Sequence, residues 1–556
     1  MSRVFLLQQN HTNAKENPNP TAEEKNTIGV VQANYTKVDD GYYIWSPMNN
    51  ASIFLVDKYG NLRHRWTARN ARDGTATYLK PNGNIICGAT PLQDVTNSFR
   101  GGGYLGSVYE LDYNSNIVWE FDYHDEGTGR ANVRKGHWIH HDIEPMPNGN
   151  VLLLVWERMT MKEAIDAGRD PKLINELELW GEVIVEVAPD GKNGGRIVWE
   201  WKMFDHLVQN FDPTKNNYGD PKLHPRKMNV NYTQYDMRDP FVFNRGEERG
   251  GQADWVHYNS IFYNEETEEI ILSSRNLSEI HVIDHSTSTE EAATSHGGKY
   301  GHGGDFLFRY GNPATYGNGD KTSRSCFGQH MPNWIPKQFP GEGNVIFYNN
   351  CNQGIGPETS RLTEVDFTSA YSQFNQYCSN VTTMSSSTNY IDPTPVWEMD
   401  LGKEFTSPFI SGVHRLSNGN TFACAGAVGR FCEVTKEKEF VWKYYQPVQG
   451  NILNQGEHPT DLTKTPIGQF LGIRGEFCGT FTFRATKYPM NHKGIQEDKF
   501  VVSKGYGKLE GKRDVKQKKR NENDKMREKY EYDIIYCIGR EERCMILLVR
   551  YSDHIH

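Results

Sequence analysis

The chain contains no apolar run near the roughly 18 residues that a transmembrane helix needs. Its opening segment, MSRVFLLQQNHTNAKENPNP, has a short apolar stretch and no small-residue cleavage site, so no export signal is expected. A basic surplus is also missing. The formal net charge of −9 argues against a nucleic-acid partner, because attraction to phosphates needs a positive surface. The nine cysteines never form a CxxC pair, which disfavours a zinc ribbon, and their odd number defines no disulfide framework. They read as buried free thiols, with a loop bridge between Cys351 and Cys378 as the alternative. There is no Walker loop, no HExxH helix and no GxSxG elbow, so NTPase, zincin and serine-hydrolase chemistry have no support, and no cofactor is expected.

What is abundant points one way. Aromatics make up 12% of the residues and glycine occurs 52 times. Rings suit a pleated, half-buried surface and Gly/Asn supply the positive φ of tight turns, so the composition is that of an all-β protein. Internal similarity is the strongest signal. A Gly-Asn turn running into an apolar strand recurs as PNGNIICGA from Pro81, PNGNVLLLVW from Pro147, PGEGNVIFYN from Pro340 and SNGNTFACAG from Ser417. A strand ending in Trp plus an aromatic or apolar partner recurs six times, as segments running to Trp66, Phe121, Lys202, Tyr310, Met399 and Tyr444. Between them lies a strand of period two, as in SVYELD, VIVEVA, EIHVID, RLTEVD and RFCEVT. Each unit is therefore four short antiparallel strands, which is the content of a propeller blade. Six units give a six-bladed β-propeller over residues 39–500, with insertions at 158–178, 203–250, 286–304 and 367–392.

Residues 1–38 are expected to form a flexible arm or a short ring-closing strand. The aromatic segment Gly475–Pro489 is expected to complete a blade, because strands from both ends would remove open edges. Residues 501–556 hold 14 Lys/Arg against 10 Asp/Glu, a net of +4 that leaves −13 for the rest. They are expected to be a non-propeller tail.

In a propeller the innermost strands line the axis, and their first residues surround one mouth. Nine residues before the last Asn of the turn stand Thr75, His141 and Ser411, while irregular blades begin near His257 and His330. Three such histidines suit oxyanion binding, proton transfer or nucleophilic capture of a transferable group. A zinc site with an open position is the metal alternative; no carboxylate or cysteine is placed to support it, and no metal is expected. His140 is expected to face the other way and be structural. His414 lies an odd number of residues from Ser411 and is expected to face away from the channel. Arg361 reads as structural. Arg275, in ILSSRNLSE, is expected to add positive charge near the mouth.

The blocks HHDIEPMPNGNVLLL, GGQADWVHYNSIFYNEETEEIILSSRNLSEIHVIDHST, GGDFLFRYGNPATYG, FGQHMPNWIP and FISGVHRLSNGNTFACAGAVGRFCEV resemble the arylsulfotransferases that work without a nucleotide sulfate donor. The resemblance covers roughly residues 30–495. It implies a six-bladed propeller that moves a sulfuryl group from an aryl sulfate to a phenol, usually in the periplasm or outside the cell. It implies that His257 and His330 hold the sulfuryl oxygens or shuttle the phenol proton; by their positions His141 is expected to line the same funnel, and Arg275 or Arg430 to add charge for the substrate. Two positions depart from the family. The stretch YNNCNQGIG (Tyr348–Gly356) has no arginine where the family has one. The family's sulfate-accepting histidine is replaced at about Arg430, whose guanidinium stays protonated and is not a nucleophile. That departure leaves a non-catalytic propeller, binding a small anionic or aromatic ligand or a protein partner, as the other reading.

Overall fold

The computed structural model describes residues 26–48, 50–68, 71–91, 102–125, 136–174, 178–233, 253–351, 357–383, 390–465 and 477–495, with a pair of two-residue strands at Cys537–Ile538 and Met545–Ile546. Six antiparallel sheets form a ring of six blades. The second blade runs outward from Ala71–Leu79 through Ile85–Pro91 and Ser107–Leu111 to Ile117–Asp122. The third uses His137–Pro145, Val151–Thr160, Glu178–Pro189 and Gly195–Lys202, with His124–Asp125 added on the inner side. The fourth to sixth begin on the axis with Tyr258–Asn264, His330–Trp334 and Ser411–Arg415. In the first blade the innermost strand comes from the far end of the sequence: Thr482–Pro489 pairs with Gly41–Pro47. At the other end, Gly29–Ala33 pairs with Phe440–Tyr445 as a fifth, outer strand of the sixth blade.

The two sequence signatures have separate physical jobs. In each Gly-Asn turn the glycine is left-handed, with φ of 86° at Gly83, 90° at Gly149, 79° at Gly343 and 90° at Gly419. The following Asn then donates across the blade to a glutamate of the third strand. Asn84, Asn344 and Asn420 reach Glu110, Glu364 and Glu433 at 2.7 Å, and Asn150 reaches Glu186 in the same way. The glutamate that recurs in the third-strand pattern is thus the turn's hydrogen-bond acceptor.

The recurrent tryptophan instead joins neighbouring blades. The indole N–H of Trp119 donates to the Gly194 carbonyl of the third blade at 2.9 Å. Trp199 donates to Thr287 at 3.2 Å, Trp397 to the Lys436 carbonyl at 2.8 Å and Trp442 to the Lys58 carbonyl at 2.9 Å. Each ring fills the seam between blades while its one donor is satisfied, which is how a buried Trp avoids a desolvation cost. Helices are few. The longest, Phe367–Thr383, occupies the fifth-blade insertion and packs Phe367 and Phe374 on Phe308. Cys351 and Cys378 are separate buried thiols, so the loop bridge is not formed.

Candidate active site at the channel mouth

The innermost strands of the third to sixth blades carry a non-glycine residue in the left-handed region near their start: His141 (φ 53°), His257 (φ 55°), Met331 (φ 52°) and Ile410 (φ 41°). In the third and fifth blades the strand register slips across that residue, and in the fourth it slips just after Tyr258. Such backbone is strained and persists only where surrounding structure enforces it. The slip breaks strict alternation, so side chains that period two would send to opposite faces meet on one side.

His140 and His141 show the effect. They were expected to diverge, yet their Nδ1 atoms lie 2.9 Å apart. His140 stacks on Trp156 with centroids 4.1 Å apart, and its Nε2 faces Glu182 Oε2 at 3.0 Å. The Glu182 carboxylate accepts a hydrogen bond from His140 Nε2–H, so His140 Nδ1 accepts and His141 Nδ1 donates. Glu182 also accepts from the Tyr258 backbone N–H at 2.9 Å, tying the third blade to the fourth. The His141 ring meets the His257 ring edge-on, centroids 4.4 Å apart. Burial, then the neighbouring His257, His140, His330 and Arg275, hold His141 well below the ordinary imidazole range. Its Nε2 faces the backbone of Gly103, whose φ is 85°; a Cβ there would lie 2.3 Å from that nitrogen.

His257 is built differently. Its Nδ1 lies 2.5 Å from Asp254 Oδ2, three residues earlier in the same segment. Its side chain keeps 11% of its surface accessible, against 0% for His140. Among the described residues its Nε2 has no hydrogen-bond partner.

His330 is buried with both nitrogens engaged. Nδ1 donates to Asn350 Oδ1 at 2.8 Å and faces the Gly328 carbonyl at 3.0 Å, while Nε2 accepts the Ile410 backbone N–H at 3.1 Å. Burial first and Arg275 second push it down to about 3. Asn350 comes from the stretch where the family has an arginine; residues 352–356 of that stretch lie outside the described residues.

Of the two expected arginines, one belongs to the cluster. Arg275 is buried, its backbone N–H donates to the His257 carbonyl at 3.0 Å, and its charge disfavours protonation of both His141 and His330. Arg430 does not join the cluster. It begins the third strand of the sixth blade, donates to the Glu404 carbonyl at 2.8 Å and lies over the Tyr445 ring. Arg361 makes a cross-strand ion pair with Glu398 at 2.7 Å.

Spacing did not reveal Arg484, on the first blade's late-arriving inner strand. Its Nη1 donates to Asp142 Oδ2 and to the Tyr78 hydroxyl, both at 2.7 Å, and Tyr78 donates to Asp142 Oδ1 at 2.7 Å. Burial works against this charge, but Asp142 and Tyr78 outweigh it and raise the guanidinium's pKa. Asp142 follows His141 directly, so this layer lies next to the histidines. Beyond it an axial cavity of about 310 Å³ is lined by inner-strand residues of all six blades, including Glu144, Phe262, Trp334, His414 and Tyr488. His414 therefore lines the channel, contrary to the alternation argument, but beyond the Arg484 layer from the three histidines. The neighbouring Gly412 shows why. Its Cβ would point at Arg484 and Met331, so Gly412 and His414 share the axial face rather than Ser411. Among the described residues no group of three or more His, Cys, Asp or Glu is arranged to hold a metal.

A six-bladed propeller with an axial mouth of histidines and a buried arginine is the class that fold and site define. The family model for arylsulfotransferase (ASST) matches residues 27–460, and the chain belongs to that family. The family implies phenols and aryl sulfates as substrates. No curated protein matches the chain. Among solved structures, it is similar to a protein of unknown function from Bacteroides caccae at 9% identity and TM-score 0.37, covering 81% of this chain and 99% of that one. It is also similar to apo AztD from Citrobacter koseri at 7% identity and TM-score 0.30, with the same two coverages. No helix among the described residues is long and apolar enough to cross a membrane.

Proposed function

We propose that the chain transfers a sulfuryl group from an aryl sulfate to a phenol at the histidine mouth. The observation that carries this reading is the His141–His257 contact beside Arg275, with the Arg484–Asp142–Tyr78 layer next to it. A sulfate ester is a monoanion. Arg275 supplies positive charge, and His141 and His330, which burial keeps from charging, add no like charge beside it. His257 acts on the sulfuryl group and His141 lines the same funnel. With both nitrogens already engaged, His330 fixes Ile410 and the wall of the fifth blade instead of reaching the sulfur. Arg430 faces Glu404 and takes no part in binding.

One observation favours a second reading. The arginine at the position of the family's nucleophile is turned to the blade's outer side. A propeller that holds an aryl anion without reacting would need no nucleophile there.

Incubation with 4-nitrophenyl sulfate and phenol separates the two. The proposal predicts phenyl sulfate as product, formed only when phenol is present. Binding of the donor with no phenyl sulfate formed supports the second reading and contradicts the first.

A further inference from the structure

We propose that the axial cavity on the far side of the Arg484 layer is a second ligand site, which holds a small amine with an apolar or aromatic body and sets its ammonium against Glu144. This site stands apart from the transferase reading. The inner strands that start at the histidine mouth run on to the cavity, which takes Glu144 from the third blade, Phe262 from the fourth, Asn333 and Trp334 from the fifth and Tyr488 from the first. Its volume of about 310 Å³ lies within the range of pockets that take small organic molecules.

What the walls leave unpaired decides the ligand's charge. Among the described residues, the cations that line the cavity are Arg415, Arg484 and Lys487, and each already faces a carboxylate. Arg484 donates to Asp142 at 2.7 Å, Lys487 Nζ lies 2.7 Å from Glu433, and Arg415 is paired with Glu364. The carboxylates that line it are Asp39 and Glu144. Asp39 accepts from the Ser417 hydroxyl at 3.3 Å and has Lys487 at 3.9 Å. Glu144 makes no ion pair among the described residues, and only the Tyr263 backbone N–H approaches its carboxylate, at 3.5 Å. Burial first and Asp142 second hold its carboxyl well above the usual carboxylate range, so a cation is what this group lacks.

Asn333 points to the same ligand independently. It is buried, and its Nδ2 is spent on the carbonyls of Met331 at 2.9 Å and Val413 at 2.8 Å, which fixes the orientation of the amide. Its Oδ1 has no partner among the described residues, so what Asn333 offers the cavity is an acceptor. An ammonium brings donors and no acceptor, which suits both Glu144 and Asn333; a sulfate or a carboxylate brings only acceptors and suits neither. Phe262 and Trp334, with ring centroids 6.3 Å apart, and Tyr488 give aromatic faces for the body of an organic cation. His414 also lines the wall. Burial pushes it down to about 4, so at neutral pH it adds no positive charge to oppose the ligand.

The test is isothermal titration calorimetry of the full chain with 2-phenylethylamine, which carries a ring and an ammonium but no phenolic hydroxyl. Binding at one site with a Kd on the order of 0.1–1 mM is expected, the scale for a ligand of so few atoms. 2-Phenylethanol has the same shape without the charge and should bind roughly 10-fold more weakly, the scale of a lost charge-assisted hydrogen bond. A folded Glu144→Gln variant should lose that preference for the amine, and excess 4-nitrophenyl sulfate should leave amine binding in place. Equal affinity for amine and alcohol, an undiminished preference in Glu144→Gln, displacement of the amine by 4-nitrophenyl sulfate, or no binding at millimolar amine each overturns the inference and leaves the transferase reading standing. If Glu144→Gln does not fold, the comparison of amine with alcohol on the native chain decides alone.

Discussion

Gly103 decides how closely the second blade approaches His141. It occupies the left-handed region and leaves no room for a methyl group. Gly103→Ala should cost about 1–3 kcal/mol from backbone strain alone, read as a lower denaturant midpoint, and should displace His141. His330 gives a second prediction at this scale. Its folded pKa of about 3 lies below the ordinary 6.5, so the unfolded chain binds the proton first. Its contribution to stability is full above about pH 6.5 and is lost as pH falls towards 3. His414, held near 4 by burial, acts with the same sign. Thermal scans should therefore show stability falling between about pH 6.5 and 4, with a shallower fall in His330→Gln. Residue by residue the site was partly legible. His141, His257 and Arg275 came from spacing and from the resemblance. Glu182, Asn350 and Arg484 did not, because each reaches its partner from 20 or more residues away in the sequence, and Asp254 was not singled out. Asp254 alone left a local signal, three residues before His257 in the DWVH block. For His140 the slip across left-handed His141 broke the alternation the count assumed, whereas for His414 alternation held and the premise that Ser411 faces the axis failed.

At the scale of elements, the repeat was legible because each of its parts does something in every blade where it occurs. The turn needs a left-handed glycine, its Asn needs an acceptor, and the third strand's glutamate supplies it. Asn150→Ala should cost about 1–3 kcal/mol, because Glu186 would lose a donor at a largely buried position. Calorimetry at neutral pH measures this, and a change within error would show that the Asn–Glu link is incidental. The Trp link predicts a smaller effect. Trp119→Phe keeps the ring in the seam but gives up the bond to Gly194, a loss of about 0.5–1.5 kcal/mol.

For the whole molecule, closure is the organising fact. A strand arriving from residue 482 forms the inner wall of a blade whose other strands lie at 41–67, and it carries Arg484 to the axis. A chain ending at residue 480 should lose cooperative unfolding, since the first blade would expose an unpaired inner edge and Asp142 would keep no cation.

The proposed sulfuryl transfer at the histidine mouth is open to a kinetic test. Initial rates of nitrophenolate release from 4-nitrophenyl sulfate, with and without phenol, test it most directly when native chain and His257→Ala are compared. The prediction is phenol-stimulated release by the native chain and a loss of two to four orders of magnitude in the variant, the usual range for removing such a group. Equal phenol-stimulated rates in the two proteins would place the chemistry elsewhere and contradict the account.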